Sequence, residues 1–319
     1  MKRFYKIIAF CCSVILIMCS SVVIGAESIV SEDLSQYKVV TKSYENDKVV
    51  SKVVIPSDYS KTVNPESLVT PARMPLSKAS DILEVPQENL ANTTNRTMDE
   101  VEESEHPYCA IGRIESKWRM SATEVYVVKG TGCLEGPDVV LTCAHVVWDE
   151  ELGWSDETWF YPGQTSDTTA GRPIQSEAIS ISIAQSYIDS GRDDWAILQV
   201  EDDLGYLGWF GKAVATSAQI GVEMVSSGYR GDAGGRQLKT RGIVQRIAAD
   251  YDDWNIHLSG IEASYGHSGA PVYHESNGIV RGILNFGGGF ADGGGRAIDS
   301  WLYQALQEAY LEGVEKWGY

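Results

Sequence analysis

From Cys109 onward the chain keeps to one pattern: short runs rich in β-branched and aromatic residues, each soon broken by Gly, Asp, Asn or Pro. "EVYVVKGTGCL" and "DVVLTCAHVV" flank the turn Glu135-Gly136-Pro137-Asp138, "AISISIA" alternates strictly, and "WAILQV", "GIVQRIA" and "NIHLS" follow. Alternation with period two puts one strand face on a core and the other in water, and such short runs are too brief for long amphipathic helices. "APVYHE" and "GIVRGILNF" meet at Asn277-Gly278, the dipeptide that best accepts the positive φ angles of a type I′ turn, so a hairpin is expected there. Many short strands at this spacing predict an all-β fold, an antiparallel barrel or sandwich. A helix stands out only at the end: Trp301, Leu302, Ala305, Leu306, Ala309 and Tyr310 fall at helical spacing after Asp299 and Ser300, either of which can cap it.

The N-terminal third has a different character. Residues 1–26 run from Lys2, Arg3 and Lys6 through an apolar stretch, Ile7 to Met18, to the small residues Gly25 and Ala26. That is the pattern of a secretory signal cut after Ala26, and it predicts a secreted, extracellular protein with no stable membrane association once the signal is gone. The same stretch approaches the length of a membrane span, but its small terminal residues favour cleavage. Residues 27–96 are polar, with prolines at 56, 65, 71, 75 and 86, and cannot bury much apolar surface alone. They read as a propeptide or linker, largely irregular, whose internal echo "VVTKS" and "VVSKVV" suits two short strands and is too weak for a repeat. A domain over 97–319 follows.

Cys11, Cys12 and Cys19 fall in the signal, which leaves Cys109, Cys133 and Cys143, enough for one disulfide at most. The fold must therefore rest on its hydrophobic core, which a chain of 319 residues that is 43% hydrophobic can supply. The formal charge of −18 falls almost wholly after residue 96. So acidic a surface disfavours nucleic acid and anionic membrane as partners and favours solubility.

The chemistry gathers around Ser268 in "ASYGHSGAPVY". A nucleophilic serine needs an exposed Oγ and backbone N–H groups aimed at the developing oxyanion, and the glycines at 266 and 269 permit the tight turn that presents both. It also needs a base. Of the five histidines, His145 ends an apolar strand, where a polar ring is unwelcome unless it faces a cleft. A carboxylate to orient the imidazole is available in "RDDWAILQV", at Asp193 or Asp194.

Together these stretches resemble the trypsin-like serine endopeptidases, whose T-A-A-H, D-x-A-L-L and G-D-S-G-G-P appear here, in the same order, as T-C-A-H, D-W-A-I-L and G-H-S-G-A-P. Within that superfamily the chain is most similar to the bacterial glutamyl endopeptidases, through "HPYCAIGRI", "WFYPG", "SSGYRGD" and "GHSGAPVYHESNGIVRGI" over about residues 105–312. The resemblance implies two antiparallel six-stranded β-barrels (about 105–205 and 212–298) with a C-terminal helix (about 299–313). It implies His145 as general base, Asp194 as its orienting partner, Ser268 as nucleophile, and the Gly266 and Ser268 N–H groups as oxyanion hole. Asp194 is preferred because it directly precedes W-A-I-L. The resemblance further implies a monomer that is made as a proenzyme and acts on protein or peptide substrates.

The pattern departs in places. His267 stands where trypsin-type enzymes keep the aspartate that pairs with a freed N-terminus, and Cys143 replaces an alanine, so that a Cys133–Cys143 bridge is a possibility. Glutamyl endopeptidases carry a histidine in "GIHWG", whereas this chain has "GILNFGGG". Glu262, six residues before Ser268, could attract a basic side chain, and Arg296 an acidic one, or the two could pair with each other. The substrate pocket is therefore assigned to Glu262, Ala263, Asn285, Phe286, Gly287 and Arg296, with its charge preference open. No metal or cofactor motif is present, and the scattered Asp232, Asp250, Asp252 and Asp253 are read as surface acids rather than a calcium site. The rival readings are an inactive homologue that serves as a binding module, and an esterase; the latter lacks the G-x-S-x-G elbow.

Overall fold

The computed structural model describes residues 32–56, 64–75, 99–172, 174–231, 233–250, 253–287 and 292–319. The signal expected at 1–26, Asp232 and Asp252 lie outside them. The chain divides after Gln36. Before that point the described residues belong to the 3-10 turn Glu32–Tyr37, and the barrels are built from residues 37–319.

The hairpin β1 (Lys38–Ser43) and β2 (Lys48–Val53) and the two-residue strands β3 (Val69–Thr70) and β4 (Asp99–Glu100) precede the barrels. The first barrel contains β5 (Ile111–Arg119), β6 (Val125–Leu134) and β7 (Val139–Thr142). After a small pair, β8 (Trp148–Asp149) and β9 (Gly153–Trp154), it continues with β10 (Glu157–Pro162), β11 (Ser176–Ala184) and β12 (Ala196–Val200). Its order β10-β5-β6-β7-β12-β11 closes where Trp159 and Phe160 pair with Glu177 and Ser176. A short helix, α1 (Gln185–Ser190), lies between β11 and β12.

After β13 (Gly211–Ala213) the second barrel is formed by β14 (Glu223–Tyr229), β15 (Gln237–Asp250), β16 (Asp253–Ser259), β17 (Pro271–His274), β18 (Ile279–Gly287) and β19 (Asp292–Ala297). Its order β17-β14-β15-β16-β19-β18 closes through the β17–β18 pair. Both barrels are closed, six-stranded and antiparallel, and each buries the inward face of its alternating strands, such as Ile181 and Ile183 of β11. Met224, Val244, Ile256 and Leu258 do the same in the second.

Several details differ from the sequence expectation. The β17–β18 connection is not a type I′ turn: only Gly278 has positive φ, at 62°, and the His274 carbonyl accepts from both Asn277 (3.3 Å) and Gly278 (2.9 Å). The C-terminal helix α2 (Ser300–Trp317) runs past residue 313, with the Asp299 side chain capping the Leu302 N–H at 2.8 Å. Trp301 holds it on the first barrel by an edge contact to Trp195, 5.3 Å between centroids. Residues 38–53, inside the stretch expected to be largely irregular, are ordered as the β1–β2 hairpin: the echoed "VVTKS" and "VVSKV" are its strands, and β1 pairs with β11. Cys133 and Cys143 are not bridged; both thiols are free and buried, as is Cys109.

Candidate active site

Strand β7 is buried throughout, and the chain then turns through Ala144–Val146 so that His145 leaves the core between two fully buried neighbours. Its side chain is 34% exposed, that of Asp194 only 12%. Asp194 Oδ2 lies 2.7 Å from His145 Nδ1, and Oδ1 accepts the His145 backbone N–H at 3.0 Å. The two contacts fix ring orientation and hold the Nδ1–H tautomer, which leaves Nε2 as the basic nitrogen. Burial disfavours the imidazolium, but the charge and hydrogen bond of Asp194 outweigh it, so the His145 pKa lies above the ordinary histidine value. Burial likewise opposes the Asp194 carboxylate, yet His145 and a hydrogen bond from the Asn285 side chain hold its pKa below the usual range.

Asp193 faces elsewhere. Its φ of 58° turns the dipeptide, so that Oδ1 accepts from Arg296 at 2.8 Å and Oδ2 from Ser186 at 2.6 Å. A left-handed non-glycine residue costs on the order of 1 kcal/mol, and here it separates two adjacent acids into two environments.

Ser268 lies on the loop between β16 and β17, and that loop is held by the first barrel. The Thr131 N–H donates to Ser268 O at 2.8 Å, Thr131 Oγ1 donates to Gly266 O at 2.8 Å and accepts from Tyr229 N at 3.0 Å, and Thr142 Oγ1 donates to Thr131 O at 2.7 Å. Gly266 (φ 94°) and Gly269 (φ 87°) admit no side chain: a Cβ on Gly266 would collide with Tyr229 O, and one on Gly269 with Thr131 O and Thr142 Oγ1. Tyr265 O accepts from Gly231 N at 2.9 Å, which in a trans peptide turns the Gly266 N–H the opposite way. Among the described residues, neither that N–H nor the one of Ser268 donates a backbone hydrogen bond. Gly130 connects the two halves, since a Cβ there would lie 2.7 Å from Val146 Cγ2 and 3.1 Å from Ser268 O. Thr142 opens the T-C-A-H motif, but nothing in the sequence pointed to this bracing role for it or for Thr131, which stands between two glycines in β6.

A cavity of about 210 Å³ opens beside Ser268, lined by Ala263, Ser264, Tyr265, Leu284, Asn285 and Phe286, with His267 behind. Of the residues the sequence assigned to a substrate pocket, Ala263, Asn285 and Phe286 line this cavity. Glu262 and Arg296 do not line it, and they do not pair with each other. The Glu262 carboxylate lies 3.7 Å from Arg230, and Arg296 is fully buried among Asp193, Asp253 and Asp299. Gly287 is the last residue of β18. A second cavity, of about 510 Å³, adjoins Gly266 on the side of Arg230, Lys129 and Arg113.

Among the described residues, Cys143, His145 and Asp194 offer ligand atoms within 4.8 Å of one another. The Cys143 thiol is committed to Leu284 O at 3.2 Å, and burial, with Asp194 beside it, pushes its pKa well up. A protonated thiol is a poor metal ligand, so the cluster reads as a histidine–carboxylate pair beside an inert cysteine.

Residues 130–283 match the family described as trypsin-like peptidase domain. A curated glutamyl endopeptidase of Bacillus licheniformis is 26% identical over 217 residues, 65% of this chain and 59% of that protein, so the chain spans under two thirds of the relative's length. Among solved structures, a Glu endopeptidase in complex with MPD aligns with TM-score 0.56 at 20% identity, covering 68% of this chain and 98% of that one. The protease Anisep from Arthrobacter nicotinovorans aligns with TM-score 0.52 at 16% identity, covering 67% and 98%. Double barrel and family match agree: residues 130–283 match a trypsin-like peptidase domain, and they lie within a double β-barrel of the trypsin-like kind.

Proposed function

We propose that this domain is a serine endopeptidase working through Ser268, His145 and Asp194. The observation that carries the reading is the two-point clasp of Asp194 on His145, with Ser268 lining a cavity on the neighbouring barrel. Ser268 Oγ attacks a peptide carbonyl while His145 Nε2 takes its proton. Asp194 stabilises the imidazolium, and the Gly266 and Ser268 N–H groups receive the oxyanion. The imidazolium then protonates the leaving amine, and water hydrolyses the acyl-enzyme by the same route. Export by the signal at 1–26 and synthesis as a precursor, with 27–96 ahead of the domain, belong to the same proposal. Glutamyl specificity is not carried over, because no lysine or arginine is among the described residues that line the cavity beside Ser268, and β18 has Leu284 and Asn285 where glutamyl endopeptidases carry a histidine.

The test is labelling by a fluorophosphonate probe together with cleavage of a mixed peptide library, for the wild type, Ser268→Ala and His145→Ala. Labelling and cleavage lost in both variants are expected. A folded wild-type protein that neither labels nor cleaves would favour the binding-module reading.

A further inference from the structure

We infer that residues 37–56 and 64–75 are a permanent strap of the folded domain: they stay bound to both barrels when the chain is cut between Pro75 and Asp99, and they leave the cleft open. A pro-segment that acts as an inhibitor would occupy the catalytic cleft. The described residues of this one instead pair with β11, β13 and α2.

The first attachment is the β1–β2 hairpin. Val39 through Ser43 pair with Ala184 through Ser180 of β11, and the Tyr44 N–H continues the pairing to Ile179 O at 2.9 Å. The barrel itself covers β11 there only on the β12 side, because β10 reaches no further than Ser176 and Glu177. Without the hairpin, Ser180–Ala184 would present a row of unpaired backbone groups, the kind of edge that folded proteins cover. Side chains reinforce it. Val39 and Val54 are buried in the first-barrel core, Thr41 Oγ1 meets Ser182 Oγ at 2.7 Å, and the Tyr44 hydroxyl reaches Ser155 Oγ at 2.7 Å. Lys52 pairs with Glu308 of α2 at 2.9 Å, and Tyr37 stacks edge-on against Trp301.

The second attachment lies on the second barrel's side. β3 pairs with Lys212 and Ala213 of β13, and Thr70 Oγ1 meets the Tyr303 hydroxyl at 2.9 Å and donates to Gln307 Oε1 at 2.7 Å. Arg73 and Trp209 exchange backbone hydrogen bonds at 2.9 and 3.0 Å, and the Arg73 guanidinium lies 5.0 Å over the Trp209 ring and 4.6 Å over the Tyr319 ring. Two anchors on one segment bind far more tightly than either alone, since the second closes within the already bound piece. Among the described residues, neither cavity beside the Ser268 loop is lined by any residue before Arg113.

The test needs no assumption about the chemistry at Ser268. A recognition sequence for an unrelated site-specific protease is placed at residues 84–92 of the full chain carrying Ser268→Ala, and the purified protein is cut. Native size-exclusion chromatography with intact-mass detection should find both fragments in one peak, separating only in denaturant. Elution of the N-terminal fragment alone would overturn the inference. In the same design with Ser268 retained, the fluorophosphonate labelling rate should change less than about twofold on cutting. A rise of tenfold or more would mean that the segment shields the cleft and would overturn the inference as well. Absence of labelling before and after the cut would refute the proposed protease function while the retention measurement still stands. Arg73→Ala with Tyr44→Phe should speed fragment release without altering labelling of the uncut chain.

Discussion

Replacing Arg296 by leucine separates a structural role from a role in substrate choice. Arg296 is fully buried, donates to Asp193 Oδ1 at 2.8 Å, Asp299 Oδ2 at 2.7 Å and Trp254 O at 3.1 Å, and lies 3.0 Å from Asp253 Oδ1. Burial works against its charge, but the three carboxylates outweigh burial and keep the guanidinium protonated. The three acid side chains are only 16%, 13% and 28% exposed, so without Arg296 they face one another with little water to screen them. Breaking a buried ion pair from one side costs about 3–5 kcal/mol. Residual exposure of the acids argues for the lower end, about 3 kcal/mol, equivalent to a Tm drop of about 6–12 °C for a domain of this size. Thermal and urea unfolding of Arg296→Leu, run beside a peptide-library cleavage profile, should show that loss with the preferred residue before the cut unchanged. A loss below about 1 kcal/mol together with a changed preference would refute the reasoning and return Arg296 to the substrate pocket.

Three other outcomes follow from the site. His145 must be neutral to accept the Ser268 proton, so activity should fall as pH drops through its raised pKa; Asp194→Asn should move that limb to lower pH and cut kcat by about 10⁴-fold, whereas an unmoved limb would count against the pairing. Gly266→Ala should lower kcat by about 10²–10³-fold with the fold retained, because its Cβ meets Tyr229 O and displaces an oxyanion donor; near-normal kcat would exclude Gly266 from that role. In a chain lacking residues 1–26, no thiol should react with a disulfide reagent in the native state and three should react in denaturant, since burial pushes the Cys109 pKa up to about 12 and raises those of Cys133 and Cys143 well above the ordinary thiol value. Fewer than three on denaturation would reveal a bridge.

The double barrel was legible because nearly all its strands carry their own alternation and turn residues, and because the three short motifs occur in one order. Ser268 was picked out by the glycines around it, and His145 and Asp194 as polar residues at the edges of apolar runs, which the fold brings into contact with each other. The pocket was less legible. Glu262 was placed by counting back from Ser268 and Arg296 by the strand expected to wall the pocket, yet charged side chains turn toward the nearest counter-charge, and Arg230, Asp193 and Asp253 come close only in the folded chain. The same limit hid Thr131, whose partners lie about a hundred residues or more away in sequence. The order of residues 38–53 was underestimated because a polar segment was judged by what it could bury alone, whereas β1 borrows its stability from the edge of β11.

Thr131 also bears on timing. It belongs to β6 of the first barrel, yet it holds the carbonyls of Gly266 and Ser268 on the second. Each barrel can form its own ladder from local pairings, but the geometry around Ser268 exists only after the two have docked. Activity is then the last signal to return when the denatured chain refolds, behind strand circular dichroism and behind burial of either core, so that recovery of peptide cleavage serves as a clock for docking alone.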